Sequence, residues 1–331
     1  MKKKGILFLM LVLLAVILTA CGSGGTADDD GVFKVAVIMP SATNDLAFSQ
    51  SMFDALTEIQ TEMGAENFEF VFADNSFVVE DAAAAIRDWA GQDYDLIIAH
   101  GSQYGASLQE IAPDFPEVSF AWGTAGDTFG LDNVYAYEAQ SDQGGYVLGV
   151  LAASMSESNV IGVVGPLEVG DAKLYVDGFK AGASATNADV QVNVNYIGSF
   201  SDVALATEAA NTHVDAGADV LTGSAQMVVG AVGVAKDSGA LWFGTQSNQT
   251  SLAPEIVVAS QVYDWKVVLD EIIANVKDGT LGGEAFIITL ENEGLVIEYN
   301  DAYDVPAEAK AAADEAIAGI IDGSITTGVG E

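Results

Sequence analysis

Short, wholly apolar runs alternate with amphipathic stretches along most of this chain. The run Val35-Ala36-Val37-Ile38-Met39 is rich in β-branched residues and reads as a strand buried on both faces, as in a parallel sheet. Pro40 ends it, the polar segment 41–45 follows, and residues 47–56 carry a helical pattern. Asn44 or Asp45 is placed to cap that helix, because a side-chain oxygen there accepts a free N–H of the first turn. Strand, polar loop and helix start form the unit that the rest of the chain repeats. In an open α/β sheet such loops lie at the carboxyl ends of strands, where ligands bind.

The pattern predicts strands at 68–72, 96–99, 118–122 and 134–137, with helices at 79–89, 108–111 and a glycine-spaced one at 144–155. It then restarts. A strand at 160–164 has the character of 35–39 and is followed by the loop 165–170 and a helix at 172–185. Strands at 190–196, 220–222, 241–243 and 257–262 alternate with helices at 203–216, 228–237 and 265–277. Strands near 286–290 and 294–298 and an alanine-rich helix at 307–321 complete the series. Two successive β/α sets predict an α/β protein of two doubly wound, Rossmann-like lobes with a cleft between them.

The N-terminus follows a different rule. Lys2, Lys3 and Lys4 precede the apolar run 6–18, which Leu18-Thr19-Ala20-Cys21 closes. That order is a secretory signal, and the run is shorter than the about 20 residues a spanning helix needs. Leu-Thr-Ala-Cys is also a lipobox, so residues 1–20 are expected to be removed and Cys21 to be lipidated. Residues 21–31, small and polar, read as a tether. The expected product is extracytoplasmic and held to the cell membrane by lipid, on the periplasmic or outer face. Cys21 is the only cysteine, which rules out an internal disulfide.

Charge narrows the partners. Eleven Lys and Arg stand against 48 Asp and Glu, a formal net charge of −37. A field of that sign repels phosphate backbones and argues against nucleic acid. The roughly 300 residues after the signal suit two domains of ordinary size. The chain shows no His/Cys/Asp cluster at metal-ligand spacing, no Gly-x-Gly-x-x-Gly or P-loop after a strand, and no nucleophile with a base to activate it. No cofactor, metal or enzymatic activity is therefore expected. Of the two histidines, His213 lies in a polar helix and reads as a surface residue; His100, at a strand end, either lines the cleft or supports Tyr104.

Taken in order, the lipobox and the segments MPSATNDLAFSQSM (39–52), DLIIAHGSQYG (95–105), PEVSFAWGT (116–124), YVDGFKAGA (175–183), NVNYIGSFSD (193–202) and GADVLTGSAQ (217–226) resemble the basic membrane lipoprotein family. These are type I solute-binding proteins of ABC importers, and the resemblance runs from about residue 33 to 299. It implies two lobes joined by three crossings that close on a small ligand and deliver it to an ABC permease. The crossings are expected near 137–140, 245–248 and 283–286. One lobe would hold 33–137 with about 246–284, and the other 138–245 with about 285–325. The same cleft would serve a lipoprotein that senses its ligand and signals to a membrane kinase.

The resemblance also implies site residues. Asn44, Asp45 and Phe48 match a segment that gives polar contacts and an aromatic stacked on a purine-like nucleobase or nucleoside. Phe200 and Asp202 match the segment that gives the opposing aromatic. Phe48 and Phe200 fit core packing as well, and Asp45 fits a cap. Other loop positions that complete the expected set are Ser102, Gln103, Tyr104, Trp122, Thr124, Ser224, Gln226 and Met227, with Trp265 as a further aromatic wall. The chain departs from the nucleoside-binding pattern in four places. Two family carboxylates are the amides Gln246 and Asn248, a lysine is Tyr263, an acid after the fourth strand is Gly123-Thr124, and a glycine-rich loop is Ser224-Ala225-Gln226-Met227. Amides offer donor and acceptor together, suited to the edge of a neutral heterocycle, with a base as well matched as its nucleoside. The alternative for Gln246 and Asn248 is hydrogen bonding within the hinge.

Overall fold

A computed structural model describes residues 31–329; the signal, Cys21 and most of the tether lie outside the described residues. Two six-stranded sheets organise the body. The first runs β11-β5-β4-β3-β1-β2, from β1 (Phe33–Ile38), β2 (Phe68–Ala73), β3 (Leu96–Ala99), β4 (Ser119–Gly123), β5 (Val134–Ala139) and β11 (Ala285–Ile288), with all pairings parallel. The second runs β12-β10-β9-β8-β6-β7, from β6 (Val160–Gly165), β7 (Gln191–Tyr196), β8 (Val220–Gly223), β9 (Leu241–Gln246), β10 (Val257–Tyr263) and β12 (Leu295–Tyr299). Its edge strand β12 is antiparallel to β10. The strand order reverses between β1 and β3 in one sheet and between β6 and β8 in the other. Each lobe therefore has a switch point facing its loops into the cleft.

Helices cover both faces. They are α1 (Phe48–Met63), α2 (Val79–Ala90), α3 (Gly105–Ile111), α4 (Ser141–Met155), α5 (Gly170–Thr186), α6 (Val203–Asp215), α7 (Val229–Ser238), α8 (Lys266–Lys277) and α9 (Ala307–Ile321). This double cover explains the unbroken apolar runs. Val35, Val37 and Met39 pack with Met52, Leu56 and Ile59 of α1, while Ala36 and Ile38 pack on the opposite face with Ile86 of α2 and Leu108 of α3.

The glycines of α4 and α5 let those helices touch backbone to backbone. A Cβ at Gly149 would lie 2.1 Å from the Phe179 carbonyl oxygen, and one at Gly182 would lie 2.0 Å from that of Tyr146. His213 is buried, contrary to its expected surface position. Its ring packs over Gly162, where a Cβ would lie 2.5 Å away, and Nε2 is 3.1 Å from the Val163 carbonyl. The polar helix hides one small-residue face, and the histidine sits on it.

Two crossings differ from expectation. β10 pairs with β9 in the second sheet, so the chain does not change sheets at 245–248. It does so after Tyr263, where α8 enters and packs against α1 and β11. β11 pairs with β5 in the first sheet, and the last crossing falls between Ile288 and Leu295 rather than at 283–286. Both runs are apolar and fit either sheet by composition; cross-strand register settles which one each joins. The first crossing, between β5 and α4, lies at 139–141.

Candidate ligand-binding cleft

The side chains that meet between the lobes all come from carboxyl ends of strands. The first lobe contributes Pro40 after β1, Phe48 at the start of α1, Phe77 after β2, and Gly101, Ser102 and Gln103 after β3. The second contributes Asp171 after β6, Phe200 after β7, Ala225 and Gln226 after β8, and Gln246 at the end of β9. They enclose ≈ 50 Å³. Small-molecule pockets hold about 300–1,000 Å³, so admitting a flat heterocycle takes a wider separation of the lobes. Backbone conformation is unusual here: Ala225 (φ 73°) and Gln246 (φ 72°) are left-handed without being glycine. Such strain of about 1–3 kcal/mol per residue clusters at ligand sites.

Phe48 is held by a buried network. Its ring stacks on His100, with centroids 3.9 Å apart and planes at 10°. Its carbonyl accepts from Ser51 Oγ at 2.8 Å and from His100 Nε2 at 3.2 Å, and Ser51 Oγ in turn accepts from Trp265 Nε1 at 2.9 Å. A carbonyl has no proton to give, so the proton is on Nε2 and His100 Nδ1 accepts from the Tyr137 hydroxyl at 2.8 Å. Burial favours the neutral ring, pushing its pKa down to about 3. His100 thus supports Phe48 and Tyr137 rather than Tyr104, and Trp265 lies beneath the cleft as core.

The loop that carries Phe48 is also tied to the other lobe. Ser247 Oγ donates to the Ala47 carbonyl at 2.8 Å, and Gln249 Nε2 donates to that of Leu46 at 3.1 Å. Gln249 is fully buried, with Oε1 accepting from Trp242 Nε1 at 2.8 Å.

Across the cleft stands Asp171, which sequence reasoning missed. Its Oδ2 accepts from the Tyr263 hydroxyl at 3.0 Å and from Gln246 Nε2 at 3.3 Å. Burial raises its pKa, against the lowering effect of these two donors and of N–H groups at the start of α5. The repeat held the signal: Asp171 opens the helix after the first strand of the second lobe, the place that Asn44 and Asp45 occupy in the first. Tyr263 is buried behind it and bonds the acid instead of lining the cleft. Phe77, an exposed aromatic in the loop after β2, was also missed, as were the lining residues Pro40, Gly101 and Ala225.

Of the expected residues, Phe48, Ser102, Gln103, Phe200, Gln226 and Gln246 come together. The others serve the scaffold or lie outside the lining. Asp45 accepts from the N–H groups of Ala47, Ser49 and Gln50 and from Ser41 Oγ, so four donors occupy its carboxylate. Asn44 is exposed in the same loop. Tyr104 is fully buried and donates to the Ser76 carbonyl, and Trp122 donates to that of Gly101 while filling the space above Gly105. Thr124 bonds back to the Gly123 carbonyl. Asp202 caps α6 by accepting from Leu205 N–H at 3.0 Å. Met227 is core, and Ser224 is buried one residue before the lining. Asn248 bonds Glu298 at 2.7 Å and borders a separate cavity of ≈ 330 Å³ beside α1, together with Gln50, Asp54 and Asp264.

Two doubly wound lobes that enclose aromatic and polar side chains at the carboxyl ends of both sheets define a type I periplasmic solute-binding protein. A solved ABC transporter solute-binding protein from Aeropyrum pernix K1 superposes with a TM-score of 0.78 at 19% identity, over 89% of this chain and 92% of that one. The family model described as ABC transporter substrate-binding protein PnrA-like matches residues 32–321, and the chain belongs to that family. A purine-binding protein of Brucella abortus is 29% identical over 94% of this chain and 87% of its own length. The transcriptional activator protein Med of Bacillus subtilis is 27% identical over 87% and 88%. Among the described residues no helix is long and apolar enough to cross a membrane.

Proposed function

We propose that this chain is a lipid-anchored, extracytoplasmic binding protein that closes on a purine-like nucleobase or nucleoside and delivers it to an ABC permease. The carrying observation is the pair Phe48 and Phe200, one from each lobe, lining the same cleft. An aromatic ring backed by a buried imidazole is a rigid platform for a flat heterocycle, since offset stacking combines large burial with defined geometry. The purine-binding name of the Brucella relative supports the ligand class. Ligand contacts to both lobes would add to the direct bonds Ser247–Ala47 and Gln249–Leu46 and shift the balance further toward the closed state, which makes closure a signal of loading. Anchoring rests on the order of lysines, apolar run and Leu18-Thr19-Ala20-Cys21.

The test is titration calorimetry on the body from Gly22 onward, unfolded and refolded to strip carried ligand. Its panel comprises adenine, guanine, hypoxanthine, uracil, their nucleosides, and ribose. Tight binding of a purine base or nucleoside, weakened in Phe48→Ala, is the expected result; binding of no heterocycle overturns the ligand class. In the full chain, Cys21→Ala is expected to move the protein from the membrane fraction to the medium or periplasm.

A further inference from the structure

Asp171 and Gln246 form one pole of the cleft, and both sit there as acceptors. Gln246 is only 3% exposed. Its Nε2 is committed to Asp171 Oδ2, which fixes which way the amide points and turns Oε1 away from the acid. That Oε1 is buried and has no hydrogen-bond partner among the described residues, while its residue lines the cleft. A buried acceptor without a donor costs about 1–3 kcal/mol, and a ligand that brings one recovers it. The left-handed backbone at Gln246 holds the side chain at this strand end, a position glycine would adopt more easily but could not use for bonding. Asp171 is the second acceptor, kept in place by the buried Tyr263 hydroxyl. The amide-for-carboxylate changes at Gln246 and Asn248 therefore do not leave the cleft without an acid; one enters from α5.

We propose that Asp171 and the free Oε1 of Gln246 are specificity determinants, selecting a ligand that presents two hydrogen-bond donors on one edge. This rests on reading the cleft as the ligand site. The donor pair has two sources among purine-like solutes, an amino group on the ring or the vicinal diol of a ribose. Ligands whose matching edge carries only acceptors leave two buried oxygens facing lone pairs and are rejected. Tyr263 is a positioning residue for the acid.

The experiment is calorimetry on the refolded body with matched pairs: adenine against unsubstituted purine, and adenosine against 2′-deoxyadenosine and 3′-deoxyadenosine. Ribose and myo-inositol are added as diols without a base. In the wild-type protein one member of a pair is expected to bind about ten- to a hundredfold more tightly, the range for a hydrogen bond to a charged group. A gap in the base pair identifies an amino group, and a gap in the nucleoside pairs identifies the diol. Asp171→Asn and Gln246→Met are each expected to shrink that gap several-fold, a change in preference that loss of folding alone would not produce. Gln246→Met keeps the side-chain length and tests the proposal if Asp171→Asn does not fold.

A purine that binds with an undiminished preference in the variants, or with none in the wild type, overturns this inference and leaves the stacking cleft standing. Ribose or inositol binding without any purine, and lost in Asp171→Asn, supports it and overturns the purine reading. No binding by any member overturns both.

Discussion

The ring of Phe48 lies 3.9 Å from that of His100, with the two planes 10° apart. His100 also bonds the Phe48 carbonyl, so one histidine fixes both the ring and the backbone of the residue at the cleft. The consequence is a stacking surface that is set before any ligand arrives. Preorganisation of this kind removes part of the ordering cost of binding.

Replacing Phe48 by Ala is expected to weaken ligand binding by about 10- to 100-fold, from lost burial and stacking together. Phe48→Leu keeps much of the burial and loses the stack, so it should fall between. Calorimetric affinities of the three proteins check this; equal affinities would mean that Phe48 is only core.

His100 makes stability pH-dependent with a defined sign. Folded, the ring stays neutral down to about pH 3; unfolded, it protonates near 6.5. Its contribution is full above about 6.5 and is lost as pH falls toward 3, with a ceiling of about 5 kcal/mol at ~1.4 kcal/mol per pKa unit. The raised carboxyls of Asp45, Asp171 and Asp264 act in the opposite direction, since their folded states hold protons more tightly. The comparison is therefore between the wild type and His100→Gln in urea at pH 7, 5 and 4. The stability advantage of the wild type should shrink with each step down, and a constant advantage would contradict the buried neutral ring.

Gly182→Ala drives a methyl group into the Tyr146 carbonyl of the neighbouring helix. A loss of about 1–3 kcal/mol is expected, a fall in Tm of several degrees for a body of this size. Gly233→Ala in α7 is the control, because nothing lies within 4 Å of its Cβ position. It should be neutral or stabilising by up to about 1 kcal/mol through helix propensity. Thermal melts of the two variants separate crowding from propensity.

Ser247→Ala removes one hydrogen bond between the lobes, from Ser247 Oγ to the Ala47 carbonyl. A net loss of about 0.5–1.5 kcal/mol in the closed form corresponds to a roughly two- to twelvefold weaker ligand affinity. Small-angle scattering with and without ligand should show a larger radius of gyration in the free variant than in the free wild type. An unchanged radius and affinity would show that this bond does not bias closure.

The fold was legible because its signals are local. A run such as Val35–Met39 is apolar throughout since both faces are covered, and its period and length name it a strand without knowledge of its neighbours. Pro40 and the polar loop after it mark where that strand stops, so the position of the cleft at strand ends was also readable. The glycine spacing of α4 was visible along the chain, but its use, backbone contact with α5, appears only in the packing. The site was legible only in part. Phe48, Phe200, Ser102, Gln103, Gln226 and Gln246 lie in loops whose location follows from topology. Asp45 shows the limit, because the same carboxylate fits a ligand or a helix start, and only the positions of four donors decide.

By itself, the amino-acid sequence determined the β/α alternation, the two-lobe architecture, the acidic character and the family, because hydrophobic period, turn residues and ordered motifs are written along one dimension. Tertiary structure alone decided which sheet β10 and β11 join, that His213 is buried, that His100 stands behind Phe48, and that Asp171 reaches Gln246 and Tyr263. Those facts depend on cross-strand register and on distances between residues far apart in the chain, 92 positions for Tyr263 and Asp171 and more for the pairing of Phe286 with Tyr137. Packing fixes such distances, and no local pattern encodes them.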